Sequence, residues 1–280
     1  MKNRFILLVT IIISIFTFIY IENNFLEISR LEVVSNRLPA SFNGYKIVHL
    51  SDLHNKSFGK NQEQLVDKIQ KLKPDIIVFT GDIVDIRRYN EEPSVLLIER
   101  LCKIAPVYYV PGNHEIGSGK LNNLQLRLEK AGAVVLRNES IRITKNKEQI
   151  IVSGIDDPNA VKGKINENEK IQREINLTYK EDFKNKYRIL LSHRPEKLSV
   201  YARNKFDLVF SGHAHGGQVR IPFIGGIIAP HQGFFPKYTS GKYIINNTVM
   251  IVSRGLGNSQ APVRVFNRPE IILTTLYKTN

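Results

Sequence analysis

Cysteine is nearly absent from this chain of 280 residues: Cys102 stands alone, which excludes an internal disulfide framework and any multi-cysteine zinc or iron–sulfur site. Acidic residues are the scarcer charge, 26 against 40 Lys and Arg, leaving a formal net charge of +14. That surplus suits either an anionic neighbour such as a lipid surface, a cell-wall polymer or nucleic acid, or simply a basic solvated surface. No Lys/Arg block and no basic ribbon studded with aromatics is present, so nucleic acid is not expected as a partner. Internal repeats and low-complexity segments are also missing, and 42% hydrophobic content at this length supports one large domain with a buried core. Two nucleotide motifs fail. GSGKL at 117–121 has His114 where a P-loop needs glycine and Leu121 where it needs Ser or Thr, and GLGNSQ at 255–260 ends in Gln260 where the dinucleotide fingerprint needs glycine.

One long apolar run stands at the N-terminus. Lys2 and Arg4 precede an uncharged stretch from Phe5 to Ile21, roughly 25 Å long as a helix and at the lower limit for a bilayer crossing. Tyr20, Ile21, Glu22, Asn23 and Asn24 follow, with no small-residue cleavage site. The expectation is an uncleaved signal anchor at the cell membrane, with export after signal cleavage as the alternative. The basic bias puts the N-terminus inside and the remaining chain outside the cytoplasm. The expected boundaries are a membrane segment at 1–24, a linker at 25–39 and a single domain at 40–280.

Within that domain short apolar runs alternate with helical patterns, the mark of an α/β fold. YKIVHLSD, DIIVFTGD and VYYVPGNHE read as buried strands, the last running into a glycine turn. Leu65, Val66, Ile69 and Leu72 share one helical face before Pro74, and PSVLLIERLCKI and the stretch from Leu121 to Ala131 are helical too. From Ala133 the texture changes to AVVLRN, SIRIT and QIIVSGID, which predicts a second sheet built from hairpins. Residues 160–186 read as a solvated helix or insertion. YRILLSH, FDLVFSGHAH, KYIINNTVMIVSRGLG and EIILTTLYK resume the strand pattern.

Strand after strand ends in a metal-competent residue: Asp52 and His54, Asp82 and Asp85, Asn113 with His114 and Glu115, then His193, then His213 and His215. In open α/β sheets ligands sit beyond the carboxyl ends of strands, so these residues are expected to converge. In an extended segment i and i+2 point to one side, which aims Asp52 with His54, and His213 with His215, into one site. Gly212, Gly216 and Gly217 permit a sharp turn and close backbone approach. Imidazole, carboxylate and amide oxygen together suit Mn²⁺, Fe or Zn²⁺ better than Ca²⁺ or Mg²⁺. Asp52, His54, Asp82, Asn113, His193, His213 and His215 are enough for two ions, with Asp82 able to bridge. Two ions can clamp a phosphoryl oxygen and turn water into a hydroxide nucleophile near neutral pH.

DLH at 52–54, GDIVD at 81–85, GNHE at 112–115, His193 and GHAHGGQ at 212–218 together resemble the ordered motif set of the calcineurin-like metallophosphoesterases. GHAHGGQVRIP, SRGLGNSQAPVRVFNRPEI and the N-terminal segment are similar to the bacterial membrane-associated or exported branch of that family. The resemblance runs from about residue 40 to the end. It implies two mixed β-sheets packed as a sandwich and flanked by helices. It implies one metal held by Asp52, His54, Asp82 and His215, a second held by Asp82, Asn113, His193 and His213, and His114 as the catalytic residue over the substrate. Ala214 and Arg194 depart from the pattern at positions that supply no ligand.

The expected function is a two-metal phosphoesterase, Mn²⁺ favoured, cleaving a phosphodiester or phosphomonoester that is lipid- or envelope-linked. The alternative is a non-catalytic, metal-stabilised envelope protein that binds anionic polymers. His49 and His231 match no motif and are expected as ordinary packing residues. Asp85 and Glu115 are expected to support the ligands or cap turns, and Arg220, Arg254 and Arg264 to form surface salt bridges. The loop IPFIGGIIAPHQGFF is either ordinary packing, a face for the bilayer or a receiver for an acyl chain.

Overall fold

A computed structural model describes residues 2–158, 166–258 and 263–279. The predicted alternation is present. Helix α1 (Lys2–Asn24) is followed by β1 (Glu27–Ser35), β2 (Tyr45–Leu50), α2 (Glu63–Leu72), β3 (Ile76–Thr80), α3 (Glu92–Cys102), β4 (Val107–Val110), α4 (Asn113–Gly117), α5 (Leu121–Lys130) and the short β5 (Val134–Val135). The second half holds β6 (Glu139–Lys145), β7 (Glu148–Gly154), α6 (Glu167–Thr178), β8 (Tyr187–Leu191), α7 (Leu198–Arg203) and β9 (Leu208–Ser211). Two small hairpins come next, β10 (Arg220–Ile221) with β11 (Gly225–Gly226), and β12 (Ile228–Ala229) with β13 (Gly233–Phe234). The chain ends with β14 (Gly241–Ile245), β15 (Thr248–Val252) and β16 (Glu270–Lys278).

Two six-stranded mixed sheets result. The first has the order β1-β16-β2-β3-β4-β5 and the second β14-β15-β9-β8-β7-β6. Strands β2 to β5 run parallel, as do β15, β9, β8 and β7. Period-2 alternation sorts each strand between two cores. Ile47 of β2 and Phe210 of β9 point into the layer between the sheets, where they meet Val78, Val152, Ile189, Ile251 and Ile272. Their neighbours Val48, Leu50 and Val209 point outward. Outside the first sheet, Leu65 and Ile69 of α2, Leu97 and Leu101 of α3, and Leu124 and Leu128 of α5 close the surface. Outside the second, Ile171 and Ile175 of α6 and Leu198 and Tyr201 of α7 do the same. The architecture is therefore helix, sheet, sheet, helix, as the resemblance implied.

Three expectations change. The stretch at 25–39 is no linker, because β1 pairs in parallel with β16 along Glu27–Ser35. Its mixed sequence EISRLEVVS suits an edge position, where one face stays wet. The second sheet is not mainly hairpins, since α6 and α7 provide the crossovers that parallel strands require. Residues 160–186 are more than a solvated insertion, for α6 buries Ile171, Ile175 and Thr178; positions 159–165 lie outside the described residues.

Candidate metal centre

The carboxyl ends of β2, β3, β8 and β9 and the first turn of α4 deliver all seven candidate donors to one place. Asp52, His54, Asp82 and His215 present donor atoms that all lie within 4.8 Å of one another, and so do those of Asp82, His193 and His213. Asn113 joins the second group, its Oδ1 lying 3.2 Å from His193 Nε2. Asp82 is common to both: its Oδ2 is 3.2 Å from His193 Nε2 and 3.8 Å from His54 Nε2. His215 Nε2 closes the first group at 3.1 Å from His54 Nε2 and 3.3 Å from Asp52 Oδ1. His54, Asp85 and His114 form a third, overlapping group.

The expected extended geometry is not what aims these side chains. Asp52, His54, Asp82, His213 and His215 have φ of 54°, 49°, 52°, 65° and 47°, left-handed backbone that costs an L-residue roughly 1–2 kcal/mol. Each strand stops before its donors, and the chain coils tightly enough to point Asp52 and His54, or His213 and His215, inward together. Close loop contacts hold those coils. A β-carbon on Gly212 would collide with Ser51 Oγ and the Asp52 carboxylate, and one on Gly112 with the Asp82 carboxylate. Both Asp52 oxygens lie 3.1 Å from the His213 backbone N–H, which donates to them. Asp82 Oδ1 accepts from His114 N at 2.9 Å. Glu115 Oε2 accepts from Gly112 N at 2.7 Å and Asp82 N at 2.8 Å, and its Oε1 from Val84 N at 3.0 Å. GNHE is thus the start of a short helix, where a glycine turn was expected.

The electrostatics fit cations. Burial pushes the Asp52 carboxyl up to about 7 against the pull of His193, and neighbouring Asp82 adds to the push. Burial drives His54 down to about 3 and His215 well below its usual range, so both rings are neutral lone-pair donors at neutral pH. For His193 burial also pulls down, but Asp82, Asp52 and Asp157 outweigh it and bring the ring up to about 10. The buried carboxylates demand positive charge between them, and imidazole, carboxylate and amide oxygens form the donor set of a transition-metal or zinc site. His193 Nδ1 donates to Thr80 O at 2.7 Å, which leaves Nε2 facing Asp82 and Asn113. The buried Asp/His cluster is therefore a candidate dinuclear divalent-metal centre.

His114 stands at its edge. Ile86 N donates to His114 Nδ1 at 3.1 Å, which leaves Nε2 as the N–H side of the ring, 3.9 Å from Asp82 Oδ2. A cavity of about 360 Å³, lined by His54, Asn55, Lys56, Arg88, Asn90 and Asn258, opens beside the cluster. A larger one of about 830 Å³ lies at the opposite, amino end of β8 and β9, among Arg37, Arg188 and Asp207, and includes none of the donors. Asp85 pairs with Arg87 and Arg88 and caps the turn at Arg87 N.

Some neighbours escaped sequence reasoning. Sequence places His231 among ordinary packing residues, yet its Nδ1 lies 3.0 Å from His213 Nε2. The available signal was its place in the glycine-bearing loop directly after GHAHGGQ. His49 is a packing residue, bonded to Thr80 Oγ1 at 2.8 Å and edge-on to Phe210. Arg194 lies buried in a two-pronged pair with Asp157, at 2.5 and 3.0 Å. Among the described residues, of the three arginines expected in surface salt bridges, only Arg254 forms ion pairs, with Glu27 and Glu270. Arg264 is buried on the carbonyls of Arg254, Gly257 and Asn267, because a guanidinium can satisfy several backbone acceptors at once. Arg220 donates to Gly216 O at 2.8 Å. Asn267 Nδ2 donates at 2.8 Å to both His215 O and Gln218 O, which braces the last donor loop.

Known proteins resemble this chain along most of its length. The metallophosphoesterase YkuE of Bacillus subtilis (strain 168) is 30% identical over 267 residues, covering 93% of this chain and 89% of its own. The phosphodiesterase YaeI of Escherichia coli (strain K12) is 28% identical over 238 residues, covering 83% of this chain and 82% of its own. A Bos taurus transmembrane protein with a metallophosphoesterase domain is 28% identical over 255 residues, 87% of this chain and 55% of its own. A family model described as calcineurin-like phosphoesterase matches residues 45–217, a span that opens with β2 and closes just past His215. All seven donors fall inside it, and the chain belongs to the calcineurin-like phosphoesterase family.

Proposed function

We propose that this protein is a membrane-anchored, dinuclear-metal phosphoesterase that hydrolyses a phosphodiester or phosphomonoester outside the cytoplasm. The observation that carries this reading is the gathering of two donor groups around the shared Asp82, with His114 Nε2–H beside them. Asp52, His54, Asp82 and His215 would hold one ion, and Asp82, Asn113, His193 and His213 the other, with Mn²⁺ favoured and Zn²⁺ or Fe also matching the donors. When bound, such ions polarise a phosphoryl oxygen and lower the pKa of a nearby water towards neutrality.

The rest of the work falls to the chain. His114 is held by Ile86 N and can donate from Nε2 to the phosphate or to the departing oxygen. Arg88 and Lys56 line the adjoining cavity and offer positive charge to an anionic substrate. The anchor reading is supported by α1, exposed from Phe5 to Phe18, and by Lys2 and Arg4 before the span. Uncleaved retention is supported by Glu22 and Asn23, which are built into the body. The cationic surplus suits a lipid- or envelope-linked ester.

The deciding variant is His114→Ala, assayed on bis-p-nitrophenyl phosphate beside elemental analysis. Metal content should be kept while turnover falls about 10²–10⁴-fold. Equal, metal-independent turnover by wild type and variant would remove the enzyme reading. A reporter that works only outside the cytoplasm, fused after Asn280, should be active; silence from a well-expressed fusion would reverse the orientation.

A further inference from the structure

Helix α1 does not leave the body as a free stalk. Glu22 accepts from the Asn267 backbone N–H at 2.8 Å and from Arg268 Nε at 2.9 Å. Asn23 Oδ1 accepts from Asn258 Nδ2 at 2.7 Å and from Arg264 N at 3.3 Å, and the Asn23 carbonyl accepts from Lys56 Nζ. One turn earlier, Phe18 packs edge-on against Phe266 with ring centroids 5.3 Å apart. The uncharged run ends at Ile21, so a residue that touches Phe18 sits about 5 Å inside the level where that run ends.

Phe266 has apolar neighbours. Arg220 N donates to Val265 O at 3.0 Å, which ties hairpin β10–β11 to the segment bearing Phe266, and Phe223 and Phe266 line one shallow groove. Hairpin β12–β13 is fixed alongside through Ile227 N to Val219 O at 2.9 Å and Phe235 N to Ile227 O at 2.8 Å. The two hairpins and Phe266 form a continuous rim on which Phe223, Ile224, Phe234, Phe235 and Phe266 are exposed by 109%, 65%, 73%, 70% and 52%. Exposed apolar side chains gathered this way mark an interaction surface. Lys237 follows Phe235 by two residues in the chain, a cation that suits anionic headgroups.

The rim is also wired to the metal centre. His231 lies between β12 and β13 with Nδ1 3.0 Å from His213 Nε2. Gly217, two residues after His215, touches Gly226 of β11 backbone to backbone. The cavity beside His54 is lined by Lys56 and Asn258, and both donate to Asn23 at the foot of the anchor. We infer that this apolar rim seats in the outer leaflet of the bilayer that α1 crosses, so that the metal centre opens at the membrane surface and takes phosphoesters carried by membrane amphiphiles. The seating stands on the geometry of α1 and the rim alone; the substrate class rests on the phosphoesterase reading.

The chain contains no tryptophan, so one introduced residue reports alone. Full-length Phe223→Trp and Phe235→Trp should be quenched in vesicles of phosphatidylethanolamine and phosphatidylglycerol with brominated acyl chains, and Leu177→Trp on α6 should not. Quenching of the first two no greater than that of Leu177→Trp overturns the seating, whatever the activity. Joint Phe223→Asp and Phe235→Asp replacement should cut turnover of vesicle-borne phosphatidyl-p-nitrophenol about tenfold or more while soluble bis-p-nitrophenyl phosphate turnover is kept. Equal cleavage of the vesicle-borne ester by wild type and double variant overturns the substrate class. A wild type that cleaves neither ester removes the phosphoesterase reading, and quenching still decides the seating.

Discussion

Glu115→Gln exchanges a single atom where three loops meet, and its cost follows from counting donors and acceptors. The wild-type carboxylate has no exposed surface and receives three backbone N–H groups, from Gly112 and Asp82 on Oε2 and from Val84 on Oε1. An amide can accept on one side only. With its carbonyl turned to Gly112 and Asp82, its NH₂ meets the Val84 N–H, donor against donor. Two buried donors then lack partners, at about 1–3 kcal/mol each. Burial, and next the charge of Asp82, already push the Glu115 carboxyl up to about 7, so removing that charge returns part of the loss. A net destabilisation of about 2 kcal/mol remains. The damage falls on the loop that aims Asp82, and loosening such a support lowers metal affinity by roughly 10–100-fold. Thermal unfolding and Mn²⁺ titration calorimetry on the full chain in detergent read both quantities. An unchanged melting temperature with affinity within about twofold of wild type would show that the carboxylate does not hold the loop.

Glu174 is buried and pushed up to about 7 by burial, with Lys170 opposing and Asp156 and Asp157 adding. Its folded value exceeds the ordinary 4.5, so its contribution is full below about 4.5 and lost as pH rises through about 7, a decline of up to about 3 kcal/mol. Glu174→Gln should flatten the fall in melting temperature between pH 5 and 8, and an unchanged slope counts against the assignment. Phe210→Ala, in the fully buried layer between the sheets, should cost about 3–5 kcal/mol by urea denaturation; a loss below about 1 kcal/mol would contradict that packing. Chelation should abolish turnover and lower the melting temperature, with Mn²⁺ restoring both, and a melting temperature indifferent to chelator would deny the cluster its metal.

Fold class was legible wherever burial imposes a period. IIVFT in β3 is buried at every position, so it reads as a run, and α2 keeps Leu65, Val66, Ile69 and Leu72 on one side, so it reads as a helix. Elements made by distant partners were not legible. EISRLEVVS carries no strong strand signal, and only the arrival of β16, more than two hundred residues later in the chain, gives its backbone groups partners in a ladder. Helix α4 is too short for any period to show. It exists because Glu115 reaches back to Gly112 N, a bond visible in sequence only to a reader looking for a cap three residues after a glycine. His231 was missed because no spacing announces it; its position against His213 is set by two hairpins of two-residue strands.

The candidate donors were legible for a different reason: residue type alone marks them out, and conformation does not. Five of the seven occupy left-handed backbone, a combined cost of roughly 5–10 kcal/mol, which approaches the whole net stability of an ordinary domain. Two of them, Asp52 and Asp82, are also carboxylates with almost no exposed surface, and each buried ion adds several kcal/mol unless its charge is met. Loop contacts at Gly112 and Gly212 and the bonds from Glu115 and His213 N offset part of this by holding geometry, and the His193 ring, protonated at neutral pH, meets part of the Asp82 charge. A divalent cation does both, and stabilises the folded chain by an amount that grows with the logarithm of its concentration over its dissociation constant. Folding and metal loading would therefore be coupled in a chain that loads the cluster, and the strain at the strand ends is the part of the structure that sequence patterns, which score each segment alone, have no means to register.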